Sequence, residues 1–186
     1  FALLAVFSIS SVTAANEPQH VVFVMTDGLR WEEVLRGADE SLITRKDGYV
    51  NDVELTRERY WRDTAEERRE ALLPFLWTTI AEQGQILGNQ DKGNVATLTN
   101  GRNFSYPGYS ETLCGFSDDR IASNEKIPNQ NVTVFEWLHN QPGFHGRVVA
   151  FTAWDVFPYI FNRDRCGFYI NAGHEPMEHG TISPTM

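Results

Sequence analysis

A continuous apolar run, Val21-Val22-Phe23-Val24-Met25, ends abruptly in Thr26-Asp27-Gly28. Its β-branched and aromatic residues, with no polar alternation, predict a strand over residues 20–27 buried on both faces. Strands of that kind belong to parallel sheets covered by helices on both sides. A second run, Arg147-Val148-Val149-Ala150-Phe151-Thr152, predicts another, with Asp155 just past its end. Helical segments are expected over residues 29–35 (closed by Gly37), 64–83 (closed by Gly84), 106–113 (closed by Gly115) and 132–140 (closed by Pro142-Gly143). Pro74 is expected to kink the second of these or to mark a second start. Residues 39–63 and 116–130 read as polar surface segments, and 86–99 as strand and turn. The expected architecture is α/β, with a mainly parallel central sheet and helices on both faces. Sites in such sheets lie beyond the carboxyl ends of the strands, and Asp27 is at such an end.

The length of 186 residues suits one domain. A net charge of −9 argues against a surface that binds nucleic acid by neutralising phosphates. At the N-terminus, Phe1-Ala2-Leu3-Leu4-Ala5-Val6-Phe7 is apolar but too short to span a bilayer. Val12 and Ala14 sit where a signal peptidase accepts small residues, so residues 1–14 are expected to be the remnant of a signal peptide. Export to the periplasm or the exterior follows from that reading. Both ends are abrupt, and a truncated chain is expected. Cys114 and Cys166 lack framework spacing, and two separate buried thiols are favoured over a disulfide.

Asp27 and Ser105 carry the chemistry. A carboxylate at a strand end is a natural ligand for Zn²⁺, Mn²⁺ or Mg²⁺, and an equally good cap for the helix that follows. Ser105 precedes Tyr106-Pro107 at the start of a helix, where a serine caps or, less commonly, serves as a nucleophile. The amides and dipole of a helix start stabilise a phosphate or sulfate oxyanion.

The stretches VVFVMTDG and NFSYPGYSETLCG resemble the alkaline phosphatase superfamily, in the branch of nucleotide pyrophosphatase/phosphodiesterases and sulfatases. Asp27, Ser105, Pro107 and Gly115 match its pattern in order and spacing, over roughly residues 21–115. The resemblance implies that residues 15–186 are the N-terminal part of a catalytic domain. It implies a metal-dependent hydrolase of phosphate esters, monoester or diester, acting on a small molecule. Two divalent ions, zinc with manganese or magnesium as alternatives, would serve it, with Asp27 and Ser105 sharing one of the pair. Ser105 would attack in line, and water would open the phosphoseryl intermediate. Asn124 is the best match to an asparagine that contacts the bound oxyanion, against an ordinary loop residue.

The chain departs from the pattern at several positions. Tyr109 stands where formylglycine sulfatases carry Arg, so Ser105 is expected to remain an unmodified alcohol. Ser105, Tyr106 and Gly108 replace the Thr, Phe and Asn usual in the phosphodiesterase branch. The later Asp-x-x-x-His and Asp-His motifs are absent from the sequence, so the chain by itself is expected to be inactive. His174 and His179, with Glu175 and Glu178 between them, read as a polar surface loop. Asp155 reads as packing and a cap, while Arg30 and Trp31 fit a helix start as well as a substrate contact. The sequons at Asn103 and Asn131 are expected to go unused. A mutase or phosphotransferase, a sulfatase-like enzyme on the same site, and a non-catalytic binding protein are the alternatives.

Overall fold

Capping residues that are plain in the sequence start several of the helices. The computed structural model describes residues 20–176, so the expected leader, residues 1–14, and His179 lie outside the described residues. Helix α1 is Trp31–Arg36, α2 Val53–Tyr60, α3 Ala65–Leu72 and α4 Ala81–Gln83. The second half carries α5 Ser105–Cys114, α6 Val134–His139, α7 Phe157–Ile160 and α8 Arg163–Cys166. Asp52 caps α2, Thr64 and Glu67 form a reciprocal capping box on α3, and Thr133 caps α6. The path breaks at Leu73 and restarts at Pro74, whose missing N–H rules out a continuous α-helix, and a π-turn spans Leu76–Ile80. Helix α2 lies inside the segment expected to be irregular surface.

Helices α1 and α3 pack through one close approach. At Gly37, with φ +76°, an added Cβ would lie 2.3 Å from the Arg68 carbonyl carbon. Trp77 Nε1 donates to Val34 O at 2.9 Å, and the Arg69 guanidinium lies 3.9 Å from the centre of the Trp77 ring.

Strand β1, Val149–Phe151, pairs in parallel with β2, Tyr169–Asn171, in the register Val149↔Tyr169, Ala150↔Ile170, Phe151↔Asn171. Helices α7 and α8 make the crossover that a parallel pair requires. The fold is thus mixed helix and strand with a small parallel sheet, in keeping with the α/β class. A broad central sheet is not what the described residues form.

Two expected strands are corrected. Residues 20–27 carry no ladder, and Val21, Val22 and Val24 are 85%, 83% and 76% exposed. Only Met25 packs against the core, while Phe23, still 53% exposed, touches Phe135 edge-on at 5.9 Å. Apolar composition favours a strand, but a strand also needs a neighbour offering a row of backbone groups, and no described segment does so here. Residues 86–99 likewise form no strand. Asn94 Oδ1 accepts from Gly88 N at 2.6 Å and Asn89 Oδ1 from Asp91 N at 3.0 Å, side-chain bonds that favour a short 3₁₀ turn, Gln90–Lys92, over a ladder.

The core gathers Tyr106, Tyr109 and Leu113 of α5 with Val148, Ala150, Ile160, Phe161, Phe168 and Ile170. Phe161 meets Phe135 at 5.5 Å and Phe168 at 5.3 Å, both edge-on, a favoured aromatic geometry. Beside this core, buried polar groups hold the irregular residues 116–131. Asn129, 1% exposed, donates to Ser110 Oγ and Ile160 O. Arg165 grips the Glu136 carboxylate at 2.7 and 2.8 Å and donates to the carbonyls of Asn129, Gln130 and Asn131. Cys114 and Cys166 are separate free thiols, as favoured from their spacing. No helix among the described residues is long and apolar enough to cross a membrane.

Candidate active site

Helix α5 starts without a side-chain cap. Its N-cap residue is Phe104, and Ser105 is the first helical residue, so the serine hydroxyl is not used as a cap. It donates instead to Asp27 Oδ2 at 3.0 Å, across 78 residues of chain. Asp27 is not a cap either, because α1 starts after Arg30 with no side-chain cap bond. Of the two local roles open to each residue, the capping role is therefore absent for both. Met25, packed against the core, with Phe23 in edge contact with Phe135, carries Asp27 to this place.

Asn124 arrives at the same helix start. Its Oδ1 accepts from Tyr106 N at 2.9 Å, satisfying an amide that the first turn leaves without an intrahelical partner. The Tyr106 hydroxyl donates to Ile127 O at 2.7 Å, which ties the loop bearing Asn124 to α5. All three residues expected at the site, Asp27, Ser105 and Asn124, thus meet at one end of α5.

An open cleft of about 450 Å³ lies over Asp27 and Ser105, lined also by Met25, Leu98, Arg102 and Tyr109; Asn124 is not part of its wall. Burial pushes the Tyr109 phenol above its usual pKa, and the charge of Asp27 adds to the shift. This tyrosine therefore brings an uncharged ring to the cleft.

The hard oxygens of Asp27 and Ser105 suit a divalent ion. Their 3.0 Å separation is the length of the hydrogen bond between them, and by donor chemistry the two could serve as part of one ligand set. No cluster of three or more His, Cys, Asp or Glu side chains that could hold a metal is present among the described residues.

Other candidates are placed elsewhere. Asp155 pairs with Lys126 at 2.5 Å, Arg30 pairs with Glu33, and Trp31 lies under Arg36. None of the three lines the cleft. His139 is buried against His145, with ring centres 4.5 Å apart. Asn131 donates to Asp118 Oδ2 at 2.7 Å, so its amide is engaged within the protein.

Glu111 was not foreseen. It is 8% exposed on α5 and accepts from Thr99 N and Oγ1 and from Asn100 N and Nδ2 at 2.6–3.0 Å. Burial pushes its carboxyl up, but the donations from Thr99 and Asn100 outweigh that and hold it below the usual carboxylate range. The clamp fixes the segment leading into Ser105. A glutamate in a helix gives no sequence signal for such a role, because its donors, two backbone amides and two side chains, lie more than ten residues away on an irregular segment. Comparison with protein-family models, with curated proteins and with solved structures finds no match to this chain.

Proposed function

We propose that Asp27 and Ser105 form the nucleophile end of a metal-dependent phosphoric ester hydrolase of the alkaline phosphatase kind. The observation that carries this reading is the 3.0 Å bond between the two side chains, neither of which caps a helix. The fold that accompanies it is a mainly parallel sheet with helices on both faces, in which β1 and β2 are neighbouring strands. The protein would be exported and would act on a small-molecule phosphate ester.

In the resting site Asp27 Oδ2 holds the Ser105 proton. Ser105 gives up its proton through Asp27 to water as Oγ attacks phosphorus opposite the leaving oxygen. The Oγ–P bond forms as the bond to the alcohol breaks, and the departing alkoxide takes a proton from water. Amides at the start of α5 face the charge that develops on the phosphoryl oxygens. Water then opens the phosphoseryl ester, returning the serine hydroxyl and releasing phosphate. A divalent ion held by Asp27 and Ser105 would favour the alkoxide over the alcohol. In this reading Asn124 adds an amide to the oxyanion side, and the apolar cleft walls take the leaving group.

The test is hydrolysis of 4-nitrophenyl phosphate and bis(4-nitrophenyl) phosphate by the full-length protein supplied with zinc or manganese. Ser105→Ala is expected to abolish turnover while the melting temperature stays within a few degrees, since it removes one exposed hydrogen bond of about 1 kcal/mol. Turnover by Ser105→Ala at the wild-type rate would overturn the assignment. A protein that binds no metal and turns over neither ester would instead be a binding module.

A further inference from the structure

We propose that Arg102 is the anion-selecting residue of the cleft, set in place by Glu111 through Asn100. The substrate class it implies is a phosphate monoester of an apolar alcohol. This inference rests on the reading of Ser105 as nucleophile, and it concerns a different part of the site.

Glu111 pins Thr99 and Asn100 to the flank of α5 with four hydrogen bonds. Asn100 Oδ1 in turn accepts from Arg102 N at 2.8 Å, and Gly101, at φ +63°, makes the turn between them. Residues 101–104 are therefore a short strap tied at one end by the clamp and at the other by the start of α5. The strap carries Arg102 to the cleft wall beside Ser105.

Among the described residues lining the cleft, Arg102 is the one cation and Asp27 the one carboxylate. The nearest counter-charge to Arg102 is Asp119 at 4.0 Å, fully exposed to solvent, and a pair of that kind does little to neutralise it. The guanidinium is thus free to meet a ligand's charge, with a fork that matches two phosphoryl oxygens. A monoester carries about −1.5 to −2 at neutral pH, against a single charge on a diester. The second charge is what Arg102 would reward, offsetting repulsion from Asp27. The remaining wall includes Met25, Leu98, Phe104 and Tyr109, which suits an apolar alcohol.

The experiment compares kcat/KM for 4-nitrophenyl phosphate and bis(4-nitrophenyl) phosphate in wild type, Arg102→Ala, Arg102→Lys and Asn100→Ala. Arg102→Ala is expected to lower the monoester-to-diester ratio by about tenfold or more, with Arg102→Lys restoring part of it. Asn100→Ala leaves Glu111 three of its donors and is expected to shift the ratio in the same direction. A ratio unchanged in Arg102→Ala overturns the selectivity, and one unchanged in Asn100→Ala overturns the positioning. Binding of inorganic phosphate to the metal-free protein gives a readout independent of turnover, expected to weaken about tenfold in Arg102→Ala and with rising salt. Equal phosphate affinity in wild type and Arg102→Ala overturns the anion site. Arg102-dependent phosphate binding by a wild-type protein that hydrolyses neither ester overturns the hydrolase reading and the substrate class with it, and keeps only Arg102 as the anion site.

Discussion

Asn124 Oδ1 accepts from the backbone amide of Tyr106 at 2.9 Å, so a residue from an irregular loop does the capping that Ser105 leaves undone. Its position accounts for two possible roles, stabiliser of the helix start and contact for an oxyanion, and charge separates them. Asn124→Ala is expected to cost about 1 kcal/mol, the ordinary value of a lost cap. Asn124→Asp keeps the acceptor and places a negative charge at the positive end of α5, so stability should hold or rise by about 0.3–1 kcal/mol. Binding of inorganic phosphate should weaken in the same variant. Denaturant melts and phosphate titration check both, and tighter phosphate binding by Asn124→Asp would contradict the oxyanion role.

Arg165 and Glu136 form the ion pair that underlies that loop, with the Glu136 side chain 5% exposed. Arg165→Met would strand the carboxylate and release three backbone carbonyls at once. The expected cost is about 3 kcal/mol, at the lower end for a broken buried pair because Arg165 itself is partly solvated. Glu136→Gln/Arg165→Met together should recover part of it. Equilibrium unfolding of the wild type and the two variants measures the difference.

Acid is expected to act on stability in two steps. His139 is buried, and burial first, then the neighbouring His145, lowers its pKa below the usual histidine value. The folded state prefers the neutral ring, whereas the unfolded chain takes up a proton near pH 6.5. Its stability is therefore complete above about pH 6.5 and falls as pH drops toward the lowered folded value. Asp118, held low chiefly by Arg120 and Asn131, and Asp155, held low by Lys126, act further down, with losses beginning near pH 4. Melting temperatures between pH 4 and 8 should show the upper step in wild type and lose it in His139→Phe. Superimposable curves for the two proteins would contradict this account.

At Gly37 the prediction is steric. Gly37→Ala would place a methyl 2.3 Å from the backbone of Arg68 and impose a positive φ on alanine. A cost of about 3 kcal/mol or more is expected, from the strained backbone together with the forced separation of α1 and α3. A calorimetric melt unchanged from wild type would show that the two helices separate freely.

Local chemistry in the sequence was enough for the helix signals. Thr64 with Glu67, Thr133, Gly37 and Gly115 act over three or four residues, and the helices they bound lie where spacing predicted. The run Arg147 to Thr152 contains a strand, and Asp27, Ser105 and Asn124 could each be singled out in advance. Residues 20–27 could not be read correctly, because apolar content reports a tendency to be covered and says nothing about a neighbouring strand to pair with. The Glu111 clamp was equally hidden, since half of its donors are backbone amides and all four come from Thr99 and Asn100, more than ten residues away. By itself the sequence determined which residues carry reactive or capping groups and where α1, α3, α5 and α6 lie, but not α2, α7 or α8. Only the tertiary structure decided that Ser105 faces Asp27 instead of capping its own helix. The physical reason is that Ser105 is the first helical residue and not the N-cap, so its hydroxyl meets no orphan amide of its own helix, and the acceptor it does meet lies 78 residues away.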